Sequence, residues 1–363
     1  MKKQILSIGA LGTLLLGTWS CNQSEPKPKG DYAQGVFVIN EGNFSSNNGS
    51  LSFFRREDAT ADADVFKTVN NVSLKGGIQG YAIAGEVGLI LVDNSAASMD
   101  KIEIVDANTL ESIATIGSPE IENPREVVAI NGNKAYVSCW GATGNYPNFF
   151  ISEGYVAVID LTTNQVTKRI AVPKGVEEMV YINGMIYLGT VNYSGVNTLT
   201  MINTATNAIV KQVEMETSPR VVGMDDSGML WVQAGLKFIQ LDATSLQVLK
   251  TVAVSTDGSK SIGHPVMSKD KKSIYFTLSY YDANGVSLGQ TYQYPVAATQ
   301  VDLSKPLINR AFTGLGIDPQ QGLIYGGITP SYAQGGYAIR YRADGSLVDS
   351  VKVGIAPSGF VFK

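Results

Sequence analysis

An all-β fold, a seven-bladed β-propeller, is what this sequence predicts, and three observations predict it. A turn followed by a strongly apolar strand recurs seven times. An alternating strand with an Asp or Asn turn follows each copy. The two chain ends read as the two halves of one incomplete unit. The recurring strand appears around Phe37, Ile90, Tyr136, Tyr187, Trp231, Tyr275 and Tyr325, at intervals of roughly 44 to 53 residues, a blade-sized period.

The element after each anchor is clearest at residues 154–166, GYVAVIDLTTNQV, where apolar residues alternate up to an Asp-Leu-Thr-Thr-Asn turn. Relatives start at Lys101, Leu199, Phe238 and Tyr337, with more degenerate copies from Gly49 and Tyr292. Short Asp and Asn side chains bond their own backbone and tolerate such turns. A third element precedes each anchor, as in PREVVAI, EEMVYI, SPRVVGM, GHPVMS, TGLGID and GIQGYAIA. Each unit therefore reads as four antiparallel strands, A to D from the inside outwards. The first unit lacks its A strand, and residues 356–363, APSGFVFK, read as an A strand with nothing after it. The C-terminal strand is expected to complete the first blade, closing the ring and hiding a sheet edge. No sustained i, i+3, i+4 apolar pattern follows Cys21.

Three segments are expected: a lipoprotein signal at 1–20, a lipidated Cys21 with a flexible tether at 21–34, and the propeller at 35–363. Lys2 and Lys3 precede an apolar stretch at 5–16, too short for an ordinary membrane span. Cys21 and Cys139 are the only cysteines, one in a tether and one in a core strand, so pairing them is implausible and lipidation of Cys21 is the better use. The alternative is an ordinary secretory signal, since Trp19 is bulky for a lipobox. Residues 22–31, NQSEPKPKGD, are polar and proline-bearing, as a tether should be.

Composition limits the chemistry. The chain has 363 residues, one histidine and a formal net charge of −4. Nucleic acid is a poor partner without clustered Lys and Arg. A lone His264 supports neither a multi-histidine metal site nor an obvious triad, and no Gly-x-Ser-x-Gly turn appears. Its expected role, beside Pro265, is a local hydrogen bond. Asp58, Asp62 and Asp64 lack calcium-hand spacing and read as a solvated charge run. No cofactor, metal or catalytic set is assigned, and Cys139 reads as a buried free thiol.

Propeller geometry puts the A–B and C–D turns on one face and the B–C and D–A connections on the other. The second set is long and aromatic, and long loops on a rigid scaffold carry function. Candidate ligand-binding residues there are Asn40, Glu41, Asn43, Asn94, Trp140, Tyr146, Phe149, Tyr193, Tyr280, Tyr281 and Tyr332. Rigid aromatics and neutral amides suit a bulky, partly apolar ligand. Arg125 and Arg220 each follow a proline at an A-strand start. A salt bridge near the channel entrance is their first expected role, with Glu177 and Glu178 as partners, and ligand contact the second.

The opening GVFVINEGNFSSNNGSLSFF and the YVAVIDLTTNQV-type repeats resemble the exported YncE-like propellers of the quinoprotein amine dehydrogenase β-chain-like superfamily. The run Val38 to Asn43 is similar to that of Bacteroidetes surface lipoproteins, including the BtuG-like cobalamin-binding group. Ring closure leaves no free edge that demands a partner, so a monomer is expected. The missing catalytic set argues against an enzyme. The resemblance implies a lipoprotein at the cell surface, lipid-anchored in the outer membrane. It would capture a bulky nutrient, a corrinoid for example, and hand it to a TonB-dependent transporter. Two alternatives stand beside it: a lyase or glycoside hydrolase built on a pair such as Glu41 and Asp282, and a protein-interaction scaffold with no small ligand.

Overall fold

A computed structural model describes residues 30–145 and 148–363. The expected signal, Cys21 and most of the tether lie outside those residues, as does Tyr146. The described chain forms seven antiparallel sheets in a ring. Their innermost strands run Pro357–Phe362, Gly77–Ala84, Pro124–Ile130, Val176–Ile182, Pro219–Met224, Ser261–Met267 and Gly314–Ile317. We number the blades 1 to 7 in that order. The first blade is closed as expected. Strand Pro357–Phe362 pairs antiparallel with Val36–Asn40, which pairs outward with Ser50–Phe54.

Blades 2, 3, 4, 5 and 7 have the expected four strands, whereas the named strands of blades 1 and 6 number three. In blade 1 the fourth position is reduced to a single bridge between Phe53 and Asp62, followed by the short helix Val65–Asn70. That helix is the one α-helix among the described residues, within an all-β fold. Asp64 caps it by accepting from the Lys67 N–H at 3.2 Å, and Asp62 in turn accepts from the Asp64 N–H at 3.0 Å. Two of the three carboxylates expected to be a solvated run are therefore turn and capping residues. In blade 6 the fourth strand shrinks to a bridge between Thr291 and Ile308.

The sequence signatures have local causes. Asp106 and Asp242 each accept two backbone N–H bonds two and three residues ahead, and Asn203 does the same. These bonds make the C–D turns self-sufficient. The recurrent anchor tyrosine clamps the next blade. Tyr136 of blade 3 donates to the Thr204 carbonyl of blade 4 at 3.1 Å, and Tyr187 of blade 4 to Ala243 of blade 5 at 2.7 Å. The core is accordingly a set of inter-blade clusters, such as Leu89, Leu91, Ile102, Val137 and Ala157 between blades 2 and 3. Cys139 is buried there as a free thiol that burial pushes up to about 12. Tyr32, which the sequence reading places in the tether, instead packs edge-on against Phe53 at 5.0 Å.

Candidate functional site: the long-loop face

Six of the seven innermost strands carry a register shift, in four of them within the first three residues at the long-loop end. An extra residue in a strand bends it and re-aims a side chain. The bulges fall at Gln79, Arg125, Glu177 with Glu178, Val222, His264 with Pro265, and Ser358. Gln79, Arg125, Glu177, Glu178 and His264 are thus polar side chains carried at bulged positions.

In blade 3 the bulge turns Arg125 toward its neighbours. Its guanidinium bonds Asp93 of blade 2 at 3.0 Å and Glu177 of blade 4 at 3.1 Å. It also lies 4.0 Å over the Trp140 ring, and the Trp140 indole N–H donates to the other Glu177 oxygen at 3.0 Å. Cation, ring and carboxylate thus lock together across three blades. Phe149, Phe150 and Tyr193 surround Trp140 edge-on at 5.7, 5.1 and 6.1 Å. Trp140 is only 6% exposed, while Tyr193 is 60% exposed and stacks on Phe150. Arg125 and Trp140 are therefore supports for the surface, and Tyr193 is the surface. Burial pushes Asp93 up to about 7 despite Arg125, and the Asp100 carboxyl beside it adds to the rise.

One residue along, Glu178 pairs with Arg220 of blade 5 at 2.6 Å, with about a third of each side chain exposed. Both expected arginine–glutamate pairs are thus formed. They border a cleft of about 500 Å³ between blades 4 and 5, walled by Tyr193, Arg220, Glu178, Gln233, Thr217 and Ile262. Its floor is tight. A Cβ on Gly189 would sit 1.7 Å from the Pro219 carbonyl oxygen, so only glycine lets the two blades approach this closely.

A second cavity of about 280 Å³ lies where blades 7, 1 and 2 meet, lined by Glu41, Asn43, Phe44, Gln79 and Tyr332. The remaining candidates separate from these two. Asn40 is 0% exposed, and its amide donates to Ser50 and Ser52 in the blade 1 core. Asn94 spends its side chain on the Lys75 carbonyl and the Ala96 N–H. Asn40 is a correction, since its side chain is buried in the blade core, whereas the half-buried Asn94 side chain braces its own loop. Tyr280 and Tyr281 end the long strand Ser273–Tyr281, with Tyr281 75% exposed, and line neither cavity. Asp282 accepts from the Asn284 and Val286 N–H groups as a turn residue and does not line the cavity of Glu41.

Sequence reasoning missed Gln233, Thr217, Phe44 and Gln79. Phe44 alone carried a signal, an aromatic inside an otherwise polar loop. His264 also departs from expectation. It sits on a bulge at φ +48°, and among the described residues its ring makes no hydrogen bond. Burial and the nearby Arg220 push it down to about 4.

Glu126, next to Arg125, is pushed up to about 8 by burial, partly offset by the Val127 N–H. A carboxyl raised above its ordinary 4.5 favours the fold while protonated, so its contribution is lost as pH climbs from about 4.5 to about 8. His264 acts oppositely, its cost fading as pH rises from about 4 through 6.5. Between pH 6.5 and 8, therefore, the melting temperature of the protein is expected to fall. Glu126→Gln should flatten that slope and melt higher than the parent at pH 8. Parallel slopes in thermal denaturation would show that Glu126 does not titrate in this window.

By class, then, this is a seven-bladed β-propeller whose long-loop face carries a charged, aromatic-walled cleft. The chain belongs to the family described as a domain of unknown function, DUF5074, whose signature matches residues 34–279. Among solved structures it is similar to a quinonprotein alcohol dehydrogenase-like protein from Bacteroides thetaiotaomicron VPI-5482. There the identity is 17%, the coverage 91% of this chain and 78% of that one, and the TM-score 0.64. A functionally unknown protein from Desulfotomaculum acetoxidans DSM 771 matches at 12% identity, over 91% and 98% of the two chains, with a TM-score of 0.59. Kuenenia stuttgartiensis hydrazine synthase matches at 17% identity, over 78% and 89%, with a TM-score of 0.56. These likenesses concern the fold. No curated protein matches the chain.

Proposed function

We propose that this protein is a lipid-anchored binding protein of the outer-membrane surface. It captures a bulky small molecule on its long-loop face and passes it to a TonB-dependent transporter. The observation that carries the reading is the cleft between blades 4 and 5. Its volume of about 500 Å³ falls within the usual range for ligand pockets, about 300 to 1,000 Å³. Its walls combine an exposed ring, an accessible ion pair and the neutral hydrogen-bonding groups of Gln233 and Thr217. The locked Arg125–Trp140–Glu177 cluster beneath it keeps those walls preorganised, which lowers the ordering cost of binding.

A corrinoid, the ligand of the BtuG-like group that the N-terminal motif resembles, is the first candidate. Its amide-bearing rim suits Gln233 and Thr217, and its apolar ring suits Tyr193. A molecule that large would extend from the cleft over the channel mouth. Export and anchoring rest on the leader and Cys21 in the sequence.

Calorimetric titration of the mature domain with cyanocobalamin and cobinamide tests the ligand. Binding is expected, and Tyr193→Ala or Gln233→Ala should weaken it about tenfold each, a loss of about 1.4 kcal/mol. No heat with either corrinoid removes the corrinoid assignment. Binding that both variants leave intact removes the cleft.

A further inference from the structure

The cavity at the junction of blades 7, 1 and 2 has a different chemistry from the cleft. Phe44 and Tyr332 reach it from the loops of different blades, and each is 58% exposed. Among the described residues neither ring packs against another aromatic, and more than half of each side chain is exposed. Glu41 lines the same cavity, and its carboxylate forms no ion pair or hydrogen bond with any described residue. The Gln79 amide, aimed by its bulge, is also without a protein partner. No lysine or arginine is among the lining residues.

The walls are fixed in place. Glu41 and Gly42 donate backbone N–H groups to Ala356 and Ile355 at 3.0 and 2.9 Å. Gly42 has φ +79°, and a Cβ there would lie 2.4 Å from the Gly49 nitrogen. Asn43 donates its N–H to the Asn48 side chain at 2.7 Å and accepts from the Ser45 N–H and hydroxyl. Asn47 is tied to Ser95 of the next blade. A loop so heavily bonded presents Phe44 and Glu41 without first having to be ordered.

We propose that this cavity is a site for an organic cation, a quaternary or substituted ammonium group. Its charge is balanced by Glu41, and its carbon substituents face Phe44 and Tyr332. Aromatic faces carry negative potential and attract such cations. An unpaired carboxylate adds to that field, and no cationic side chain lines the cavity to cancel it. Inorganic calcium would need six to eight oxygen ligands, whereas a single carboxylate and two amides line this site. An anion would be repelled by the Glu41 carboxylate, with no lysine or arginine in the lining to offset it. The volume of about 280 Å³ accommodates a trimethylammonium head with a short tail.

Charge, not shape, is therefore what the site reads, and a neutral isostere isolates that. Choline, tetramethylammonium and 3,3-dimethyl-1-butanol, in which a carbon replaces the charged nitrogen of choline, would each be titrated into the mature domain and followed by chemical-shift changes. Choline or tetramethylammonium is expected to bind, and the alcohol about tenfold more weakly or not at all. Glu41→Gln and Phe44→Ala should each weaken the cation about tenfold while leaving the melting temperature unchanged. Tyr193→Ala, in the cleft between blades 4 and 5, should leave cation binding as it is, so this site and the cleft stand or fall separately. Equal binding of the alcohol, an unaffected Glu41→Gln variant, or no binding of either cation at millimolar concentration would each overturn the assignment.

Discussion

A chain ending at Ile355 is expected to lose cooperative folding altogether. The missing strand supplies the inner edge of blade 1, pairing Phe362 with Val36, Val361 with Phe37 and Phe360 with Val38. It also ties that blade to both neighbours. Phe360 and Phe362 pack on Tyr325 of blade 7 at 5.5 and 5.0 Å. The Lys363 ammonium donates to Ala107 and Asn108 of blade 2 at 2.6 and 2.7 Å. Without the strand, the fully buried residues Val36, Phe37 and Val38 face an open seam. The loss of paired backbone and apolar burial is comparable to a whole domain's stability, about 5 to 15 kcal/mol. Circular dichroism during urea unfolding would read the effect. A permutant carrying residues 356–363 joined ahead of Gly35 through a two-residue Asn-Gly turn should recover the transition, because Lys363 and Gly35 are a hydrogen-bonded cross-strand pair, at 2.9 and 3.1 Å, that such a turn closes. A truncated chain that unfolds like the parent would show that the ring does not depend on this strand.

The second large effect is expected at Arg125. Replacing it by methionine keeps the packing over Trp140 but leaves Asp93 and Glu177 without their shared cation. Breaking a buried pair from one side usually costs about 3 to 5 kcal/mol, and urea unfolding at pH 8 should show a loss of that order. Burial already pushes Asp93 up to about 7 and raises Glu177, and Arg125 is what holds both down. Its removal raises them further. Carboxyls with raised values lose stability as pH rises, so the deficit should shrink at pH 5. Lysine should rescue only part of the loss, because a point charge cannot bridge two carboxylates as the planar guanidinium does. A variant as stable as the parent at pH 8 would mean that the cluster contributes nothing to the frame beneath the cleft.

The fold was legible because a propeller repeats its local chemistry. The Asp and Asn turns accept the backbone bonds that their composition suggests. The choice of face followed from loop length, and both cavities of the candidate site lie there. Individual side chains were harder. Asn40 and Glu41 are adjacent in one motif, yet strand alternation sends the first into the core and leaves the second at the cavity. Trp140, a ligand-binding candidate by its place in a long loop, is buried and meets the exposed Tyr193 edge-on.

The sequence by itself determined the repeat, the four-strand unit, the closure of blade 1 by the C-terminal strand, and the glutamate partners of Arg125 and Arg220. These are properties of local pattern and register, which a period in the residues records directly. Only the tertiary structure decided which loops share a cavity. Tyr193 meets Arg220 and Gln233, and Phe44 meets Tyr332, across blade boundaries. Such meetings depend on how the blades are set around the ring and on bulges of a single residue. No local pattern in the chain encodes them.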